Sequence, residues 1–276
     1  PTVARRCTHN FALQHAIWLA HELGAPLCVF ELVAFDFERP SPRAWAALSA
    51  GLRDCRADCV RAGLPHYVFV ERERAEADAL VAALAGAARA FVTDESGHDR
   101  GAQRAQRLLA QSGCPTLVVD GQGLLPVRLA PRAFGTAHAF RRCLQQRLPD
   151  ELADWPLAEP LRTWSGRNEA LPTELVARWA LTAHGEHSHD LPHAWASGPA
   201  AVEGSSGAAA GAQRLRAFVA HKLARYAEAS GHPDEDGSSG LSVALRWGHV
   251  GAHQVAAAVL AAEGWRGPGV GLATRG

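Results

Sequence analysis

The stretch GSSGLS at residues 237–242 runs directly into VALRWGHV at residues 243–250. Small and hydroxylated residues here open onto a helical pattern. Backbone N–H groups at a helix start lack intrahelical partners and lie at the positive end of the helix dipole. Glycine lets a ligand approach the backbone, and serine hydroxyls add hydrogen-bond donors. Local chemistry therefore leaves two functions open, a phosphate cradle or a plain helix cap, which is the commoner use of such turns.

The flanking residues extend this pattern in both directions. A helical segment at residues 218–226 (FVAHKLARY) comes before it, then His232-Pro233, and Gly248-His249-Val250 ends it. In this order the segment resembles the flavin-phosphate segment of DNA photolyases and cryptochromes, most closely the class II photolyase branch. In that family a tyrosine and a Ser/Thr-Ser-x-Leu-Ser run hold the phosphates of FAD. The positions that match are Tyr226, Ser238, Ser239, Leu241 and Ser242, with Gly240 at the variable place.

Composition limits the possible classes of protein. The chain has 276 residues, which predicts about two domains. It is 47% hydrophobic and 20% charged, as globular proteins are. Lys plus Arg and Asp plus Glu number 28 each, so a nucleic-acid surface must be local. No apolar run is long enough to span a bilayer and no leader pattern opens the chain, so we expect no membrane partner and no secretion signal.

The six cysteines are scattered along the chain. Cys55 and Cys59 stand four residues apart on a predicted helix, which is a spacing that could bind a metal ion. No second pair of ligands lies nearby in the sequence, so two thiols on one helix face are the favoured interpretation and no metal ligand is assigned. Free cysteines are typical of a reducing compartment, and we expect a cytoplasmic protein.

Helix and strand patterns alternate through the first 130 residues, which we interpret as one domain. Helical periods cover residues 11–23, 42–62, 76–88 and 100–111, and apolar strand patterns cover residues 26–33, 66–70, 90–94 and 115–120. Strands that are apolar on both faces and separated by helices predict a doubly wound parallel sheet, an α/β fold. Ligands of such sheets bind beyond the carboxyl ends of the strands, here near Phe35, Glu71, Asp94–Ser96 and Asp120–Gly123. No Gly-x-Gly-x-x-Gly follows the first strand, so a dehydrogenase site is not expected.

The family resemblance extends into this domain. Residues 6–13 (RCTHNFAL) resemble the family's Arg-x-x-Asp-Asn-x-Ala-Leu. Asn10, Ala12 and Leu13 match, whereas His9 stands where an aspartate is usual. The resemblance implies an antenna domain, which can hold a second, light-harvesting chromophore in this family.

Residues 131–206 are interpreted as an interdomain linker with short helices. Four histidines and two acids fall between residues 183 and 193 (AHGEHSHDLPH), including His184 and His193. Imidazole suits zinc or nickel, but no helix fixes the ligand spacing, so a polar loop is favoured over a metal site. Residues 207–276 are interpreted as the beginning of an all-helical FAD-binding domain, with helices predicted at 212–230 and 252–263.

The resemblance implies a deoxyribodipyrimidine photo-lyase, which repairs cyclobutane pyrimidine dimers by light-driven electron transfer from reduced FAD. It implies UV-damaged DNA as the partner of a monomer, with Arg246 as a possible phosphate contact. It also implies that most of the family's FAD pocket lies beyond this segment. A non-catalytic cryptochrome-like or truncated chromophore- or nucleotide-binding sensor module is the alternative, and a metal protein built on the histidine loop is a third hypothesis. No Gly-x-Ser-x-Gly elbow follows a strand and no Walker lysine is present, which argues against hydrolase and phosphoryl-transfer functions.

Overall fold

The computed structural model describes residues 3–33, 39–73, 75–95, 100–130, 132–152, 154–179, 181, 192–202, 206–232 and 234–265. Three of the four histidines of the predicted loop, His184, His187 and His189, lie outside the described residues. So do Phe35, Ser96, Pro233 and the end of the chain from residue 266.

Parallel strands and helices alternate in the first part of the chain, which confirms the predicted α/β fold class. The strands are β1 (Val29–Val33), β2 (His66–Val70), β3 (Phe91–Asp94) and β4 (Thr116–Val119). The helices between and before them are α1 (Phe11–Glu22), α2 (Pro42–Arg61), α3 (Glu76–Ala87) and α4 (Arg100–Gln111). β1 pairs with β2 in parallel, with Val29 opposite His66. β3 pairs with β4 in parallel, with Phe91 opposite Thr116.

Side-chain caps fix where the first two long helices begin. The Asn10 side chain accepts a hydrogen bond from Leu13 N at 3.1 Å, so α1 starts at the next residue. Ser41 accepts from Ala44 N at 3.2 Å, and Pro42 follows at the first helical position. These residue types are the ones preferred at such positions because they satisfy or remove orphan N–H groups.

Cys55 and Cys59 on α2 are both buried in the hydrophobic core, together with Cys7. Cys7 Sγ lies 3.9 Å from Cys59 Sγ, which is well beyond a disulfide bond. Among the described residues, no group of three or more His, Cys, Asp or Glu side chains is placed to hold a metal ion. Cys55 and Cys59 both belong to the buried residues of α2.

The second part of the chain is helical. Its helices are α5 (Ala137–Glu151), α6 (Thr173–Arg178), α7 (Ala208–His221), α8 (Tyr226–Ala229), α9 (Ser242–Arg246) and α10 (Ala252–Ala262). Its core contains Leu215 and Phe218 from α7, Ala244 from α9, and Leu241 and Val250 from the adjoining turns. No helix in the part of the chain that the structure describes is both long enough and apolar enough to cross a membrane.

The prediction of one continuous helix over residues 212–230 is wrong. α7 ends at His221, a 3-10 turn follows at Leu223–Arg225, and α8 begins at Tyr226. The break lets the rings of Phe218 and Tyr226 meet edge to face, with centroids 5.2 Å apart. Eight residues of straight α-helix would separate the two backbones by about 12 Å along the axis.

Polar contacts near Gly248 join the α/β part to the helical part. Arg6 Nη1 donates to the carbonyl of Gly248 at 3.0 Å, and Asp54 on α2 accepts from Ala209 N at 2.9 Å. Within the helical part, His249 Nδ1 accepts from Gly207 N at 3.0 Å. α7 packs against α2 at the same place. The segment around Gly248 is therefore held by the first residues of the chain as well as by its own helices.

Two buried histidines at this junction are held neutral. Burial and, secondarily, the charge of Arg5 lower the pKa of His249 to about 4. Burial also lowers the pKa of His253 to about 4, and the charge of Arg6 and the nearby His9 add to this effect. Both side chains are at most 5% exposed, so solvent does little to screen these effects.

We expect the protein to lose stability as the pH falls from about 6.5 to about 4. Across that window the unfolded chain binds protons at both histidines, whereas the folded chain does not. The stabilising contribution is fully present above the ordinary histidine pKa, and each depressed pKa corresponds to about 3 kcal/mol lost by pH 4. Urea unfolding across this range should show a steep pH dependence that flattens in His249→Asn and in His253→Gln. The exposed control His15→Asn should keep it; equal slopes in all four proteins would contradict the expectation.

Candidate functional site

The backbone path of the turn at residues 237–242 requires glycine at two positions. Gly237 is buried, and a Cβ there would lie 2.4 Å from the carbonyl oxygen of Ala229. Gly240 has φ +65°, a left-handed conformation that favours glycine. Leu241 N donates to Ser239 Oγ at 3.4 Å, which closes the turn locally. The small residues that define the motif are thus the ones this turn needs.

The turn presents hydrogen-bond donors to solvent. Ser238 and Ser242 are exposed, and Ser239 is half-buried. The backbone N–H groups of Ser238, Ser239 and Gly240 meet no acceptor within the described ranges. Exposed hydroxyls and free amides in one turn can bind an anion such as a phosphate group.

The contribution expected from a helix dipole is smaller than the sequence indicated. α9 starts at Ser242 and ends at Arg246, so it has only five residues. The aligned peptide dipoles of so short a helix sum to little. The candidate cradle therefore consists of turn amides and hydroxyls, and the predicted helix start adds little to it.

Leu241 anchors the turn in the core of the helical part. It is 1% exposed and packs with Leu215, Phe218, Ala244 and Val250. Its neighbours on either side, Gly240 and Ser242, remain exposed. The motif thus has one buried apolar residue, Leu241, between exposed residues on either side.

Tyr226 lies at the start of α8, where the residue is 40% exposed and its ring packs edge to face on Phe218. Because Phe218 and Leu241 belong to one core cluster, the tyrosine and the serine turn rest on the same packed base.

Arg214 is a candidate site residue that the sequence reasoning missed. This half-buried arginine of α7 lies against Gly240, where a Cβ would come within 3.3 Å of its Cδ. A guanidinium beside turn amides adds the positive charge that a phosphate requires. In the sequence, Arg214 is marked only by its place next to a core leucine of an amphipathic helix. Many helices carry an arginine at such a position, so this pattern does not indicate a binding site.

Two ion pairs tie the end of α7 to the loop that leads into the turn. Lys222 Nζ lies 2.7 Å from an Asp236 carboxylate oxygen, and Arg225 lies 3.0 Å from Glu235. Together with His221 and Gly237 these side chains line a cleft of about 280 Å³. Both pairs are largely exposed and contribute little to stability, but they limit where the loop can lie.

The carboxyl ends of the strands are occupied by contacts within the protein. Glu71 is buried and receives two hydrogen bonds from the guanidinium of Arg104, at 2.6 and 2.8 Å. Asp94 Oδ2 accepts from the N–H groups of Val3 and Ala4, both at 2.7 Å. Asp120 accepts from Arg128 N at 3.1 Å. These carboxylates hold the fold together, and none of them is assigned here to a second chromophore.

Arg246 and Trp247 follow the serine turn in the sequence. Arg246 is exposed at the end of α9, where it could contact a phosphate or solvent alike. Trp247 packs against the core cluster that contains Trp45 and Trp195.

Comparisons with known proteins give likeness in structure only. No protein-family model matches the chain, and no curated protein sequence matches it. A cryptochrome from Synechocystis superposes with a TM-score of 0.68 at 14% identity, over 96% of this chain and 56% of its own. A class III photolyase from Agrobacterium tumefaciens superposes with a TM-score of 0.64 at 18% identity, over 92% of this chain and 50% of its own. An archaeal photolyase from Sulfolobus tokodaii, solved with two FAD molecules, superposes with a TM-score of 0.56 at 12% identity, over 91% of this chain and 51% of its own.

The chain therefore has the fold of photolyases and cryptochromes. The likeness covers both the α/β part and the helical part, since more than nine tenths of the chain is matched each time. The chain spans about half the length of these solved structures.

Proposed function

We propose that this chain belongs to a flavoprotein of the photolyase/cryptochrome family, and that Tyr226 and residues 238–242 hold the phosphates of FAD. The observation that carries the proposal is an exposed turn of free amides and serine hydroxyls, within a fold shared with photolyases and cryptochromes. The resemblance of the motif favours the class II branch. We also propose a cytoplasmic setting, since free cysteines are typical of a reducing compartment.

The residues present fit the diphosphate of such a cofactor. Free amides of Ser238, Ser239 and Gly240 would donate to phosphate oxygens, and the hydroxyls of Ser238, Ser239 and Ser242 would add donors. Arg214 would offset the negative charge from below the turn. When bound and reduced, FAD supplies the light-driven electron for splitting a pyrimidine dimer; the protein binds and orients it.

We further propose UV-damaged DNA as the partner, acting with a monomer of this protein. No acidic residue occurs between Asp120 and Asp150, a stretch that contains five arginines. All five are exposed, and none forms an ion pair with another residue in the described ranges. They are Arg128, Arg132, Arg141, Arg142 and Arg147. Although the chain has no net charge, this segment supplies a local surface that would attract DNA phosphates.

Flavin retention tests the proposal. The purified protein is mixed with FAD, excess is removed, and the visible absorption spectrum is recorded. We expect retained flavin, and an affinity weakened on the order of tenfold in Ser239→Ala and in Tyr226→Phe, because each loses a hydrogen bond to a charged group. Ser230→Ala, an exposed serine at the end of α8, is the matched control.

A light-dependent dimer-repair assay on the flavin-loaded protein follows from a positive result. Repair would support the photolyase function, and bound flavin without repair would favour the sensor module instead. A protein that retains no flavin, or variants that bind it as well as the parent does, would contradict the proposed site.

A further inference from the structure

The guanidinium of Arg6 is buried at the start of α10 without a carboxylate in hydrogen-bond contact. Arg6 is 4% exposed. Nη1 donates to Gly248 O and Nη2 donates to His9 O at 3.2 Å, but Nε has no acceptor among the described residues. Burying a charge that is only partly hydrogen-bonded costs free energy of folding, so we expect Nε to have a hydrogen-bond acceptor.

The N-terminus of α10 faces the same guanidinium. The helix has eleven residues, its N-cap is Gly251, no side chain caps it, and no acidic residue lies in its first turn. A Cβ on Gly251 would lie 2.7 Å from Nη2 and 2.9 Å from Nε of Arg6. The cation therefore rests on the positive end of the helix dipole, next to the unpaired amides of the first turn.

The surrounding side chains offset this charge only in part. His253, 5% exposed, and His9 each have a buried Nδ1 with no hydrogen-bond partner in the described part of the chain. Burial lowers the pKa of both imidazoles, and the charge of Arg6 lowers them further. The charge of Asp94 favours the charged guanidinium, but Asp94 Oδ2 accepts hydrogen bonds from the amides of Val3 and Ala4 and none from Arg6.

We propose that this junction site, formed by Arg6, His9, Gly251 and His253, binds a small inorganic anion such as chloride. The anion would accept hydrogen bonds from Arg6 Nε and from the first-turn amides of α10, and it would neutralise the guanidinium. A monatomic ion suits a site whose polar atoms are shielded from solvent. Because Arg6 also holds Gly248, the bound anion links the start of the chain to the helices that carry the serine turn. This inference does not depend on flavin binding.

Thermal unfolding at constant ionic strength tests the junction site. Sodium gluconate is replaced stepwise by sodium chloride while the total salt concentration stays at about 0.2 M. Surface charges are well screened at this concentration, so the screening does not change during the exchange. We expect a saturable rise in the midpoint temperature of about 3 °C or more, since a ligand that binds only the folded state stabilises it.

The variant His9→Asp places a carboxylate beside Arg6 and should replace the anion. Its midpoint in gluconate should exceed that of the parent in gluconate, and its chloride dependence should disappear. Arg53→Gln, an exposed arginine of α2, should keep the chloride dependence of the parent. A midpoint that is equal in the two salts, or a chloride dependence that persists unchanged in His9→Asp, would overturn the proposal.

Discussion

Gly248→Ala should destabilise the protein by about 3 kcal/mol or more, because two costs add at one position. Gly248 has φ +69°, in the left-handed region that a Cβ makes unfavourable. A Cβ there would also lie 1.8 Å from the carbonyl oxygen of Val3, which is backbone and cannot rotate away. The first residues of the chain would have to move, and the hydrogen bond from Arg6 to Gly248 would be lost with them. Urea unfolding measures the change.

Substitutions at two other glycines separate the cost of backbone strain from the cost of the close contact with Val3. Gly264 has φ +71° but open space around it, so Gly264→Ala should cost only the conformational strain, about 1 kcal/mol. Gly86 lies inside α3 with no atom near its Cβ position, so Gly86→Ala should stabilise by about 0.5–1 kcal/mol. If Gly248→Ala costs no more than Gly264→Ala, the close approach of Val3 is not a constraint on the folded state.

Leu241→Ala should cost about 2–5 kcal/mol and also weaken flavin binding. Leu241 is the buried anchor of the serine turn, 1% exposed in the core of the helical part. Removing three carbons leaves a cavity under the residues proposed to contact phosphate. Those amides and hydroxyls would lose their fixed positions, so affinity should fall along with stability.

Leu245→Ala on α9, four residues further along the chain, is the matched control. Leu245 is 43% exposed, so the same truncation removes little buried area there. Unfolding and FAD titration of both variants test the coupling. A Leu241→Ala protein that binds FAD with the affinity of the parent would show that the turn does not depend on its anchor.

Local patterns were enough to predict the helices and strands of the α/β part. The helix predicted at residues 76–88 is observed at Glu76–Ala87, and the strand predicted at 66–70 is His66–Val70. Apolar periodicity and end signals are encoded within each element, so they can be recognised without tertiary contacts. The serine turn was recognisable for the same reason, since its glycines and hydroxyls are contiguous.

The junction could not be predicted, because its contacts join distant parts of the chain. Arg6 and Gly248 are 242 residues apart, and no periodicity relates them. The break after His221 was missed as well, since the apolar positions of residues 212–230 continue at helical spacing through it. There the packing of Tyr226 on Phe218 overrides the local helical preference. Arg214 belongs to the same class, because its approach to Gly240 depends on how the turn folds back on α7.

The proposed phosphate site is tested most directly with two flavins, of which only one carries a diphosphate. FAD and riboflavin share the isoalloxazine ring, but only FAD carries a diphosphate for the turn at residues 237–242. Titration of the purified protein with each, followed by flavin fluorescence, gives the two dissociation constants. We expect FAD to bind at least about tenfold more tightly than riboflavin, and Ser239→Ala to reduce this difference. Equal affinities for the two flavins, unchanged in Ser239→Ala, would contradict the claim that this turn holds the cofactor's phosphates.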